Sequence, residues 1–555
     1  MDRGRFRPWA TVLAAVMVTS ACGSPVVDRT ARPSPPTRSV EPRQDETAQP
    51  SGQPAASAEI MVPQYEPTTA WERVLSGIER NGQVPLETAM AAFSLAVAPL
   101  PGVEVPPGEP EFIGSGSGPI RWVLGHWDEL TDEQRAAVTA HLTAGEPSFT
   151  IVAGRSSGLI ASIDGRPPGP MKPSLDAAQE EVESAVQEAI ATIEGKLGRA
   201  LLLTTFTGAS RRIPVEVVFD VPSTEIWAET AALDAFGQPA VTGQMSVCQI
   251  GFTAAMSQLS GPDLVAIASH EVFHCYQYAL DALEVAFRTG PWLHEGSAAW
   301  VGEVLAGGSL GVGGFYWRYW LTYPGIPLFT RIYDGMGFFS HLDEHGTDPW
   351  KILDAMHRAA SSSSVDAYLI ATTTPNADEV IDAWGPSYFR ELGLDDIAWD
   401  IRTSGVSPVR TPVTPLTIEP GAAVVVGTPW QSGWPVRIAL SGEVFVLKPL
   451  LPDVSTRGGI RFSDATEYPL AEAVGTPICL RGSCACPAGS KGAAHAFKKG
   501  ATGETRLGLT GHTDYAPVEL AAFELDTFCD TVSPADLAPE APCFCPKIVP
   551  SIRQP

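Results

Sequence analysis

The run His270-Glu271-Val272-Phe273-His274 constrains this chain more than any other feature in it. On an α-helix, residues four apart are neighbours on one face, so the two imidazoles stand one turn apart and can share one ion. Leu264, Val265, Ile267, Ala268, Val272 and Phe273 surround the motif and predict a helix that is apolar on most sides and buried. A buried histidine needs a partner, and one metal ion satisfies two at once. Trp292-Leu293-His294-Glu295-Gly296 follows, with 20 residues between His274 and Glu295. A second helix carrying Glu295 can supply a third protein ligand. The fourth position then stays open, which is the mark of a catalytic rather than a structural zinc site. Glu271, between the histidines, sits where a general base for water is needed.

These residues carry a resemblance. HExxH followed by W-L-x-E-G-x-A, here WLHEGSA at 292–298, resembles the gluzincin metallopeptidases, a clan of thermolysin-like and zinc aminopeptidase enzymes. The match is closest to the aminopeptidase-like branch and covers roughly residues 176–400. It implies a zincin-like catalytic domain and one Zn2+ per chain, held by His270, His274 and Glu295. It also implies a peptide or protein substrate, and Glu271 as the base that passes a proton to the leaving amine. The family adds a tyrosine that stabilises the oxyanion, in a stretch reading Y-E-K-G. Tyr333-Asp334-Gly335 is similar without the lysine, and Tyr333 reads either as that donor or as one more aromatic core residue. The G-x-M-E-N segment of the aminopeptidases has only Gly243-Gln244-Met245-Ser246 as its counterpart. The acid that holds a free amine is missing, so internal and terminal cleavage both stay open. A different class of function also stays open: a catalytically silent cell-surface binding lipoprotein on a zincin scaffold.

The chain begins with an expected targeting segment, residues 1–21. Arg3, Arg5 and Arg7 precede an apolar stretch from Trp9 to Val18, too short to span a bilayer. Thr19-Ser20-Ala21-Cys22-Gly23 resembles a bacterial lipobox, which implies lipidation at Cys22 and anchoring on the outer face of the cell membrane; plain secretion is the alternative. Residues 22–60, rich in Pro, Ser, Thr and Gln, read as a disordered tether. Removing Cys22 leaves eight cysteines, an even number, which in an exported protein read as disulfides. Cys248 with Cys275 is the one pairing available in the motif region. The other six lie in the last 77 residues, where C-x-C metal binding is the competing reading.

An α+β chain of several domains follows from length and pattern. Residues 61–173 read as a mainly α domain, with capping boxes at Thr69/Glu72 and Thr131/Gln134 and helical spacing of Leu86, Met90, Phe93 and Val97. Residues 174–405 hold a helix over 174–197, a strand from Val215 to Val221 and the motif helix, with further helices near 334–358 and 376–394. Residues 406–555 read as a β-rich, disulfide-containing domain. With 63 acidic against 37 basic residues and no basic stripe, a nucleic-acid partner is excluded. The eight histidines outside the motif, His294 among them, show no ligand spacing to it and read as structural or solvent-exposed.

Overall fold

A computed structural model describes residues 58–60 and, with interruptions, 65–524; the longest interruptions are 152–172, 390–412 and 470–494. Cys22, the leader, and the six cysteines near the C-terminus lie outside the described residues. Among the described residues, no helix is long and apolar enough to cross a membrane.

The fold is mixed α+β, and its apolar side chains gather into two cores. The larger runs from Trp71 to Tyr388. It surrounds a five-stranded sheet whose strand order is Gly114–Ser115, Ile226–Leu233, Val247–Phe252, Val215–Phe219, Phe149–Ile151. Ile226–Leu233 runs antiparallel to Val247–Phe252, which runs parallel to Val215–Phe219. The two outer strands are short and come from residues 61–173. That stretch therefore shares a sheet and a core with the motif region and has no core of its own. Its local signals do form: Thr69 and Thr131 close both capping boxes, and Leu86–Ala96 is helical.

Helix Pro173–Leu197 packs on the motif helix, Pro262–Leu280. Helix Pro291–Ala306, which carries Glu295, starts on a proline and ends at Gly307 in the left-handed region, φ 68°. Two glycines let this second helix approach its neighbours. A Cβ at Gly302 would stand 2.5 Å from the Ala266 carbonyl oxygen of the motif helix. One at Gly296 would stand 2.9 Å from the Gly335 backbone, in the turn that carries Tyr333. The small residues of the W-L-H-E-G stretch and its continuation thus set the crossing that brings Glu295 to the histidines. A disulfide between Cys248 and Cys275, Cα–Cα 5.7 Å, ties the motif helix to the sheet one residue past His274.

The smaller core lies between two five-stranded sheets, so the described strands between 414 and 523 form a β-sandwich. Trp434, Val436 and Ile438 from one sheet meet Phe445, Leu447 and Leu520 from the other. Ala58–Ile60, the end of the expected tether, adds a parallel strand to Val424–Val426. The segment ahead of the first core is therefore paired to the C-terminal sandwich at its last three residues.

Candidate metal centre

The motif helix is buried on nearly every side around His270 and His274, and Glu271 and Glu295 are 0 % exposed. Three donor atoms converge there. His270 Nε2 and His274 Nε2 are 3.0 Å apart, and Glu295 Oε2 lies 3.3 Å from the first and 3.4 Å from the second. Three donors placed about 2.0–2.1 Å from a tetrahedral ion stand about 3.3 Å from one another. The triangle fits that requirement. Among the described residues Glu295 Oε2 accepts no hydrogen bond, although it is buried. A buried carboxylate oxygen without a donor is costly, and a cation between it and the two nitrogens satisfies all three.

Neighbouring groups fix how these donors point. Gln277, one turn past His274, gives its side-chain amide hydrogens to the His294 carbonyl at 2.8 Å and Ser297 Oγ at 3.0 Å. Its oxygen is thereby turned to His274 Nδ1, 2.6 Å away. Nδ1 carries the proton and Nε2 keeps its lone pair toward the triangle, the arrangement typical of a ligating histidine. His294 Nδ1 lies 3.0 Å from Glu295 Oε1, and its ring stacks on His274 with centroids 4.4 Å apart. Burial, with Arg121 and His274 nearby, holds His294 well below its ordinary pKa, so it is a neutral donor to Oε1. One carboxylate oxygen is occupied and the other is left for the triangle. His294 is therefore no solvent-exposed residue but a buried support of the site.

In the metal-free protein the carboxylate and the imidazoles also shift one another's titration. Burial alone would raise the Glu295 pKa, but the surrounding imidazoles, His274 foremost, hold it well below the usual carboxylate value. Burial would likewise lower His274, but the Glu295 carboxylate overrides it and the value is raised. Arg121, fully buried on the helix Ser117–Gly125, is lowered by burial to about 10, with Glu295 opposing. It remains a cation at neutral pH, beside the site.

Glu271 points its Oε2 at two hydroxyls, Ser117 Oγ and Thr230 Oγ1, each 2.6 Å away. Its Oε1 has no hydrogen-bond partner among the described residues. Tyr333 packs beside His270, ring centroids 5.9 Å apart, and stacks on Tyr316. Its hydroxyl donates to the Ser115 carbonyl at 2.5 Å. Burial, then Glu295, raises its pKa well above the ordinary phenol value, so it stays a donor. Arg331, which pairs with Asp334 and lies over the Trp320 ring at 4.4 Å, holds the turn that carries Tyr333.

The structure thus brings together His270, Glu271, His274, Glu295 and Tyr333. The sequence reading missed Ser117, Arg121, Thr230 and Gln277, and of its two readings of His294, structural or solvent-exposed, the structure bears out the first. One signal was present: Arg121 is a lone charge inside the apolar run Ile120–Leu124. Comparison with protein-family models, with curated proteins and with solved structures found no match.

Proposed function

We propose that this chain is an extracytoplasmic zinc metallopeptidase, lipid-anchored through Cys22. The observation that carries the reading is the triangle of His270 Nε2, His274 Nε2 and Glu295 Oε2, with edges of 3.0, 3.3 and 3.4 Å. Two imidazoles and one carboxylate suit Zn2+ and leave a coordination position open. A bound zinc ion supplies polarisation of the scissile carbonyl and acidification of water. Glu271 takes the proton from the attacking water on Oε1 and delivers it to the leaving nitrogen. Tyr333 is the donor to the developing oxyanion, exchanging its bond to the Ser115 carbonyl for one to substrate.

A second reading has its own support. Every donor is buried, and Gly114–Ser115 already pairs with Ile226–Leu233, where an extended peptide would add to the sheet. A silent binding lipoprotein on the same scaffold accommodates that cover without needing it to open.

The test is zinc content of the purified soluble chain together with cleavage of casein, with and without 1,10-phenanthroline, beside Glu271→Gln. The metallopeptidase reading expects about one zinc per chain, cleavage abolished by chelator, and a zinc-loaded but inactive Glu271→Gln. Full zinc occupancy without cleavage of a broad peptide library favours the binding protein.

A further inference from the structure

Resting on the metallopeptidase reading, we infer that Ser117 and Thr230 are positioning residues that clamp Glu271 Oε2 and so dedicate Oε1 to the proton transfer. A carboxylate on a flexible side chain has two equivalent oxygens. A general base works only when one of them is held within hydrogen-bond reach of the proton it removes. Here the symmetry is broken from outside the motif helix. Ser117 Oγ and Thr230 Oγ1 each have one proton, and Oε2 is the nearer acceptor for both at 2.6 Å, the Glu271 carbonyl standing 3.2 Å from Thr230 Oγ1. The Ser117 oxygen also accepts the Thr230 backbone N–H at 2.7 Å, which seats the hydroxyl between the strand and Glu271. Oε1 is buried and has no hydrogen-bond partner among the described residues.

The two hydroxyls of the clamp come from elements far apart in the chain. Thr230 lies midway along Ile226–Leu233, facing the motif helix. Ser117 opens its helix directly after the short strand Gly114–Ser115, and Gly116 N–H donates to the Ala228 carbonyl at 2.8 Å to seat it. The next residue, Gly118, comes so near the third ligand that a Cβ there would stand 3.0 Å from Glu295 Oε1. Residues 114–118 are thus part of the centre, and a chain without them lacks half of the clamp.

The test uses the full soluble chain as Ser117→Ala, Thr230→Val and Thr230→Ser, with Glu271→Gln as reference. Two readouts are taken: kcat and KM on casein-derived peptides, and acetohydroxamate affinity of the Co2+-loaded protein from its visible spectrum. Acetohydroxamate chelates the ion and needs a carboxylate oxygen beside it to accept its hydroxyl proton. The clamp predicts an unchanged metal content and KM, and kcat lowered about 10–100-fold in Ser117→Ala and Thr230→Val. Thr230→Ser, which keeps the hydroxyl, recovers wild-type kcat. Acetohydroxamate binding weakens in the same two variants toward the Glu271→Gln value. If Ser117→Ala does not fold, the contrast between Thr230→Val and Thr230→Ser decides. A cleaving wild type with variants inside twofold of it overturns the clamp and leaves the peptidase standing. A wild type that binds Co2+ but cleaves nothing sinks the peptidase reading, and the hydroxamate contrast then decides the clamp alone. A chain that binds no Co2+ overturns both.

Discussion

The chain carries two histidine pairs at the same helical spacing, and they differ in nearly everything else. His270/His274 have ring centroids 4.6 Å apart, and His341/His345 have centroids 4.5 Å apart. Each pair has a glutamate within reach, Glu295 in one case and Glu344 in the other. In the first cluster the carboxylate arrives from a different helix, all three residues are buried, and both Nε2 atoms face one oxygen. In the second, all three donors come from one helix end, Glu344 and His345 are half-buried, and His341 Nε2 pairs with the Val380 carbonyl at 2.6 Å. Helical spacing places two rings side by side. A crossing helix, with the Gln277 bond that fixes the His274 tautomer, makes them a candidate metal centre.

The largest expected effect breaks the comparison outright. Glu295→Ala, or His270→Ala with His274→Ala, takes metal content from about one ion per chain to below about a tenth, while His341→Ala with His345→Ala leaves it unchanged. Elemental analysis after dialysis reads both; equal losses from the two clusters would erase the distinction drawn above. Next comes the covalent tie. Cys248→Ser with Cys275→Ser removes a bridge spanning 27 residues and costs about 3 kcal/mol in denaturant unfolding. No change would mean the motif helix is held by packing alone.

Supports of the first cluster rank third. Gln277→Leu and His294→Phe are expected to weaken metal binding about 10–100-fold by competition with a chromophoric chelator, without unfolding the chain. Smallest is a pH effect that separates the clusters in metal-free protein. Burial lowers the His345 pKa, with the Glu379 carboxylate 3.6 Å away opposing. A histidine depressed in the folded state contributes stability above its unfolded value of 6.5, lost as pH falls through the folded value. His345→Gln should flatten that loss below pH 6.5 in denaturant titrations, and a slope equal to wild type would count against it.

How much of this could be read beforehand follows the distance over which each feature is encoded. His270, Glu271 and His274 are written into five consecutive residues, and Glu295 into a short stretch with its own glycine. Cys248–Cys275 followed from parity and neighbourhood. Ser117 and Thr230 reach Glu271 across 154 and 41 residues, and single serines and threonines in apolar surroundings announce nothing. His294 was judged by ligand spacing, whereas its role comes from stacking on His274 and donating to Glu295. The expected boundary at 173 does not divide the core, because the strands that cross it, Gly114–Ser115 and Phe149–Ile151, have only two and three residues. Elements that short show no alternation to read. The two sheets of the sandwich, by contrast, are built from alternating apolar runs between turns, and that pattern was legible.

Anomalous diffraction at the zinc absorption edge, on crystals of the zinc-equilibrated chain, addresses the central claim most directly. One strong peak is expected about 2.0–2.1 Å from each of His270 Nε2, His274 Nε2 and Glu295 Oε2. A map with no peak between those three atoms, or with its strongest peak at His341 and His345, would contradict it.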